Sequence, residues 1–310
     1  LRFKKDKYSF LFESVEKGRN KGRYSVLGIK PDLIWRCEKQ KCTIEKNIND
    51  KVEIFKEENI SPIESLKKLF KKNKFKIPEN LPPMSSGLFG YLGYDMIKYF
   101  EKINLDNCDN LNLPESIFIR PTIMLIFDNV SDKLFIIKNI WPESGYSEKI
   151  FTSSLKEIKK LLNTIEKPIK LEINKYKKIK YSRSALFRDV QSNITFTEFD
   201  KMVKNAKELI YAGEIFQVVL SRRFEKKIKT SSISIYRALR HLNPSPYLFY
   251  INFDKFCIVG SSPEILVKLE NKLVTVRPIA GTRRRGKNNY EDQKLENDLL
   301  NDPKEISEHL

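Results

Sequence analysis

Glu264 follows Gly260-Ser261-Ser262-Pro263, and Thr282 follows Arg277-Pro278-Ile279-Ala280-Gly281. A carboxyl beside a break in a strand, flanked by Ile265 and Leu266, can stay protonated and give its proton to a leaving group. The other reading of Glu264 is an edge-strand residue facing water. Gln217 sets a neutral amide in the apolar run Ile215-Phe-Gln-Val-Val-Leu220, where it needs hydrogen-bond partners, strand-end backbone among them. Glu305 and Glu308 lie one helical turn apart before His309; on residue type alone they are exposed carboxylates. Arg283-Arg-Arg285 can hold an anion or lie in water, and water is the preferred reading. The glycines of Gly87-Leu-Phe-Gly-Tyr-Leu-Gly93 match no phosphate loop, lacking Gly-Lys-Ser/Thr, and read as close backbone packing.

These groups need elements to position them. Residues 256–282 read as an antiparallel hairpin turning at Glu270-Asn271, each arm made irregular by Pro or Gly where its polar group sits. Gly213–Phe224 alternates as a strand with Gln217, Val219 and Ser221 on one face. The helix before it is the clearest in the chain. Thr195 and Glu198 form a capping box, Phe199, Met202, Val203, Ala206, Leu209 and Ile210 share a face, and Gly213 closes it. A helix from Ile233 to Leu242 stops at Asn243-Pro244, and Pro244–Tyr250 continues as a buried strand. Tyr290–Leu300 is helical, and Asp302-Pro303 starts a further helix.

Toward the N-terminus, Tyr8–Ser14 and Arg23–Gly28 read as paired strands across a polar Gly18–Gly22 connection. Strands follow at 33–37, 52–55, 122–129 and 134–139, with helices at Pro62–Phe70, Met96–Phe100 and Ser147–Glu166. Residues 167–194 are lysine-rich and patternless, including Ser182 and Ser184. The expected organisation is therefore an N-terminal subdomain (1–166), a linker (167–194) and a second part (195–310).

The 310 residues suffice for one large core or two smaller ones, and a 40% hydrophobic content with 20 Phe and 13 Tyr fits a globular protein. The net charge of +18 raises nucleic acid or anionic lipid as partners. The lysines are scattered among acidic residues, however, and no recognition motif accompanies them. A solvated basic surface is expected, without nucleic-acid binding. Cys37, Cys42, Cys108 and Cys257 form no CxxC pair, and His241 and His309 join no Cys/His cluster, so zinc is not expected. Reduced thiols in the cytoplasm are the default. No stretch approaches about 18 uncharged apolar residues, so nothing is expected to span a membrane. The chain opens at Leu1 and closes at Leu310 inside an apparent helix, which reads as a fragment at both ends.

Gly260-Ser-Ser-Pro-Glu264 with Arg277-Pro-Ile-Ala-Gly-Thr282 resembles the chorismate-utilising enzyme family, in its anthranilate synthase component I branch. Leu11-Phe-Glu-Ser14 before Arg23-Tyr-Ser25 is similar to the family's Leu-Leu-Glu-Ser and Arg-Tyr-Ser segments, with Phe12 for the second Leu. Pro244-Ser-Pro-Tyr-Leu-Phe249 is similar to its Pro-Ser-Pro-Tyr-Met-Phe segment, with Leu248 for Met. Glu308-His-Leu310 is similar to its Glu-His-Leu. The resemblance is strong over 193–310 and moderate over 8–128.

The resemblance implies an α+β fold, antiparallel sheets with outer helices in two interleaved subdomains. It implies a lyase that converts chorismate and ammonia to anthranilate and pyruvate, the first step of tryptophan biosynthesis. The ammonia would come from glutamine through a glutamine amidotransferase subunit, component II. Glu264 would protonate the departing 4-hydroxyl. Gly281 and Thr282 would hydrogen-bond the substrate, and Glu308 would hold part of a Mg²⁺ site. Glu13, Ser14, Pro246, Tyr247 and Leu248 would form an inhibitory L-tryptophan pocket. Gln217 stands where relatives adding water carry a lysine base, and Ala280 where aminodeoxychorismate synthases carry lysine. Both favour anthranilate over isochorismate, salicylate or aminodeoxychorismate. The resemblance places the family's remaining site residues beyond Leu310, so the fragment alone is expected to be inactive. Rivals of another class are a non-catalytic tryptophan-binding module, should the gene end near Leu310, and a basic nucleic-acid-binding protein.

Overall fold

A computed structural model describes the chain except residues 1–2, 4–5, 15–21, 49–50, 58–59, 75, 106–108, 142–144, 146, 169–186 and 279–280. Cys108, Ser182, Ser184, Ala280 and most of the Gly18–Gly22 connection lie outside the described residues. The fold is α+β, in two interleaved units. One joins Leu1–Lys170 to Ser231–Pro263, the other Leu171–Thr230 to Glu264–Leu310.

The first unit is built on β2 (Tyr24–Glu38), whose 15 residues run through the middle of a nine-stranded antiparallel sheet. One edge of β2 pairs with β6 (Ser116–Asp128), from Tyr24↔Asp128 to Cys37↔Ser116. Its other edge is shared. β1 (Ser9–Glu13) takes Val26–Gly28, and β3 (Lys41–Ile48) takes Leu33–Glu38. β4 (Lys51–Glu57) pairs outside β3, while β5 (Phe89–Leu92) and β7 (Lys133–Lys138) flank β6. The β1–β2 and β6–β7 pairs follow the sequence expectation; β3 was missed, because Lys and Glu interrupt its apolar alternation. β10 (Tyr247–Asn252) adds to β1, and β11 (Cys257–Ser262) adds to β10. That addition is why Ser231–Pro263 groups with the N-terminal residues.

Alternation along β2 sends Val26 and Ile34 into a cluster with Phe10, Ile119, Ile126 and Phe253. Trp35 and Cys37 turn to the opposite face, against Leu66 and Leu69 of helix α1 (Pro62–Lys72). Ile29, Ile123 and Leu125 meet Leu161 of α2 (Glu148–Glu166). A bulge between Pro31 and Leu33 turns Asp32 to Arg120, which binds its carboxylate through two 2.8 Å hydrogen bonds and donates to Asn73. Gly90 is needed for close packing, as expected, since a Cβ there would lie 1.8 Å from the Ile117 carbonyl oxygen. The helix expected at Met96–Phe100 is a 3₁₀-helix, Tyr94–Tyr99.

In the second unit, α3 (Phe196–Tyr211) carries the predicted capping box. Its C-cap is Ala212, followed by Gly213 at φ +78°. The strand expected over Gly213–Phe224 does not form. Only β9 (Phe224–Glu225) pairs, with β8 (Gln191–Ser192). A strand exists through the neighbour that satisfies its N–H and C=O groups, and among the described residues no strand pairs with 215–222, while Arg223 bonds to Asn193 at the edge of β9. β12 (Lys268–Glu270), β13 (Leu273–Thr275), α5 (Asn289–Asn301) and α6 (Pro303–His309) complete this unit.

Candidate functional site

The sequence-predicted residues fall into two groups, one in each unit. In the first unit, β1 and β10 run antiparallel with Glu13 opposite Leu248 and Phe12 opposite Phe249. This register brings Glu13-Ser14 and Pro246-Tyr247 to the same end of adjacent strands. The chain enters β10 from helix α4 (Ser232–Leu242), which ends at Asn243 before Pro244. Ser245 is buried and fixes the entry, donating to the Ser262 carbonyl and accepting from the Tyr247 N–H at 3.2 Å. Alternation leaves Tyr247 41% exposed and buries Leu248 to 1%, among Tyr236, Tyr250 and Leu11. Leu248, expected in a pocket wall, packs with these residues beneath the exposed Tyr247.

Glu13 accepts a 2.6 Å hydrogen bond from the Tyr236 hydroxyl and pairs with Arg240 Nε at 3.2 Å. Burial, then the Glu13 hydrogen bond, push the Tyr236 hydroxyl well above the usual phenol range, so it remains a donor. Sequence reasoning missed both partners, which lie more than 220 residues away along the chain. Ser14 is crowded by Gly22, where a Cβ would stand 2.0 Å from the serine Cβ.

In the second unit the expected hairpin is smaller than the sequence suggested. Only β12 and β13 pair, around Asn271 (φ 50°) and Lys272 (φ 66°), a two-residue turn of the type that suits hairpin twist. The first arm, Cys257–Ser262, pairs instead with β10 and stops at Pro263. Glu264 is exposed and Leu266 is 92% exposed, so the desolvation expected for this carboxyl is not supplied by the described residues. Gln217 is exposed as well.

Gly281 is crowded as expected, but by protein: a Cβ would meet Glu305 Oε2 at 1.6 Å. Thr282 is exposed, and its carbonyl accepts from Arg283 Nη1 at 3.2 Å. Of the Arg283-Arg-Arg285 triplet, Arg284 and Arg285 lie in water as expected, each with one carboxylate partner, while the Arg283 side chain is only 24% exposed. Arg283 reaches Asp298 at 3.0 Å, Asp302 at 2.7 Å and Glu305 at 2.9 Å. Arg284 pairs with Glu291 at 2.5 Å, and Arg285 with Asp292 at 2.9 Å. The hydrogen bond to Glu305, then that to Asp298, hold the Arg283 guanidinium above its ordinary value. The helical spacing of 298, 302 and 305 beside a basic triplet was the signal available in the sequence.

A family model described as chorismate binding enzyme matches residues 9–310. The chain belongs to that family. As a chorismate binding enzyme it is 39% identical to anthranilate synthase component 1 of Cereibacter sphaeroides, covering 97% of this chain and 59% of that relative. It is 39% identical to that of Acetivibrio thermocellus, over 100% of this chain and 61% of the relative. The crystal structure of anthranilate synthase component I from Streptococcus pneumoniae superposes with a TM-score of 0.70 at 28% identity, over 96% of this chain and 61% of that one. This family member spans about 60% of the length of the relatives it matches.

The magnesium implied by resemblance can be tested against the residues present. Among the described residues no three His, Cys, Asp or Glu side chains are grouped to hold a metal. Glu308 is exposed, and Glu305 is committed to Arg283. Magnesium takes octahedral oxygen coordination, and one carboxylate does not provide it. Glu308 would supply one of the several ligands, and the described residues do not complete the set. Among the described residues no helix is long and apolar enough to cross a membrane.

Proposed function

We propose that this chain is part of the synthase subunit, component I, of an anthranilate synthase: its N-terminal subdomain and the first part of its chorismate-binding domain. It serves the conversion of chorismate and ammonia to anthranilate and pyruvate, with ammonia drawn from glutamine by a partner amidotransferase subunit. The observation that carries the reading is identity of 36–39% to proteins named anthranilate synthase component 1, over at least 97% of this chain.

In this reading Glu264 protonates the departing 4-hydroxyl as ammonia adds at ring carbon 2. The Gln217 amide faces that nucleophile without acting as a base, since ammonia needs no activation. Gly281 and Thr282 hydrogen-bond the substrate. Glu308 contributes one carboxylate toward Mg²⁺. L-Tryptophan inhibits by binding where Glu13-Ser14 and Pro246-Tyr247 meet, a placement supported by the β1–β10 register.

A protein of the relatives' full length carrying this chain, given chorismate, ammonium and Mg²⁺, is expected to release anthranilate, read by its fluorescence, with equimolar pyruvate. Isochorismate, salicylate or aminodeoxychorismate as the product would overturn the reading. The 310-residue chain by itself is expected to give no anthranilate, since Glu264 and Gln217 stand exposed in it.

A further inference from the structure

Cys37 and Cys42 lie directly opposite each other on β2 and β3. They close a tight hairpin in which Glu38 pairs with Lys41 and the chain turns through Lys39 (φ 47°) and Gln40 (φ 68°). In such a two-residue turn the flanking pair exchanges backbone hydrogen bonds, so the next pair out is non-hydrogen-bonded, with Cα atoms about 4.5 Å apart. That spacing lies within the roughly 4.4–6.8 Å that a disulfide spans. The register thus sets the two residues side by side on neighbouring strands, Cys37 facing Cys42. Both are nearly inaccessible, at 0% and 2%.

We propose that Cys37 and Cys42 are a redox-modification site, a cross-strand dithiol that a low-molecular-weight disulfide oxidises to an intramolecular disulfide. The Cys42 thiolate attacks one sulfur of the reagent and expels its first thiol. The Cys37 sulfur then attacks Cys42 of the mixed disulfide and expels the second. Two protein thiol hydrogens end on two reagent thiols, and the reagent carries away the electron pair.

The surroundings assign these roles. The Cys37 hydrogen bond, opposed by burial and helped by Ser65, draws the Cys42 thiol below its ordinary value. Cys37 is pushed up by its hydrogen bond with Cys42 and by burial. The Cys37 thiol also donates to Glu115 at 3.5 Å. Oxidation removes that donor, but Glu115 keeps Lys98, the Tyr99 hydroxyl at 2.8 Å and the Gln40 N–H at 3.4 Å. The oxidised hairpin therefore leaves the Glu115 cluster partnered. Access comes through the tip: Glu38, Lys39, Gln40 and Lys41 are exposed, and β3 is separated from the sheet edge only by β4. Reaction accordingly follows local opening of the hairpin.

The test treats the reduced 310-residue chain with excess oxidised glutathione, alkylates it in denaturant and maps the peptides. The expected result is Cys37 joined to Cys42, both protected from alkylation and released by dithiothreitol, with a melting temperature several degrees above that of the reduced chain. Alkylation of both cysteines after prolonged oxidation would overturn the proposal. So would a lasting glutathione adduct on either, or linkage of either to Cys108 or Cys257. In Cys42→Ala the melting temperature should no longer respond to the oxidant, and a persisting rise would place the disulfide elsewhere. Should that variant not fold, the peptide map of the unsubstituted chain still decides.

Discussion

Arg283 gathers three carboxylates from two helices onto one guanidinium, beside the Gly281-Thr282 segment proposed to bind substrate. A guanidinium presents its donors as a rigid fork, which an ammonium does not. Arg283→Lys therefore keeps the charge but not the arrangement. Amide exchange along Pro303–His309 is expected to quicken several-fold, with Ser9–Glu13 unchanged; equal exchange in both forms would make the hub incidental. Glu264 belongs to the same scale. With Glu264 as the proposed general acid, Glu264→Gln in a protein of the relatives' full length should lower turnover by about 10²–10⁴, the usual cost of losing such a group. Chorismate binding should change little. Turnover within a few-fold of the parent would make Glu264 a surface residue. At the β1–β10 group, a bulky residue in place of Ser14 should relieve the proposed tryptophan inhibition while sparing uninhibited turnover, because Ser14 already abuts Gly22. Unchanged inhibition would mean that the pocket lies elsewhere.

Among the elements, β5 depends on a missing side chain. Gly90 pairs with Phe118, and a methyl at Gly90 would collide with the Ile117 carbonyl, which is backbone and cannot rotate away. Gly90→Ala should destabilise the first unit by roughly 1–3 kcal/mol, the range for overpacking. Leu69 of α1 is 3% exposed against Trp35 and Cys37, and Leu69→Ala should cost about 2–5 kcal/mol. Denaturant midpoints decide both, and a silent Gly90→Ala would mean that β5 shifts to accommodate a methyl. β2 carries more than either, since it serves β1, β3 and β6 at once.

At the scale of the whole molecule, charge and pH act together. Burial raises the Glu115 carboxyl, but hydrogen bonds from Lys98, Tyr99 and the Gln40 N–H outweigh it and hold the group below its ordinary 4.5. Glu157 is likewise raised by burial and lowered further by Lys138 and Lys30. A carboxyl whose folded pKa is depressed contributes stability above its unfolded pKa and loses it as pH falls through the folded value. The melting temperature should therefore hold from pH 7 to about 5 and fall below about 4.5. The net charge of +18 grows as carboxylates protonate, which adds self-repulsion in the same direction. Salt screens that repulsion more than it screens partly buried pairs. Part of the acid loss should thus persist at high salt. A melting temperature unchanged down to pH 3 would remove these carboxylates from the account.

The sequence by itself determined what is decided within a few residues. The Thr195–Glu198 capping box, the Asp302-Pro303 helix start, the stop at Asn243-Pro244 and the β6–β7 pair were legible because their partners are adjacent in the chain. Its motifs also pointed to the family that the comparison over residues 9–310 establishes. Tertiary structure decided whatever needs a distant partner. Gly213–Phe224 alternates as a strand should, yet among the described residues only its end at Phe224 finds a strand neighbour. Cys257–Ser262 was expected to pair with the other arm of a 256–282 hairpin and pairs with β10. Arg284 and Arg285 are solvated as expected, but Arg283 is drawn in by the carboxylates that α5 and α6 bring to it. Pattern specifies which groups require a partner, and only the folded chain supplies one, because hydrogen bonding and charge pairing act over ångströms in space and not along the sequence.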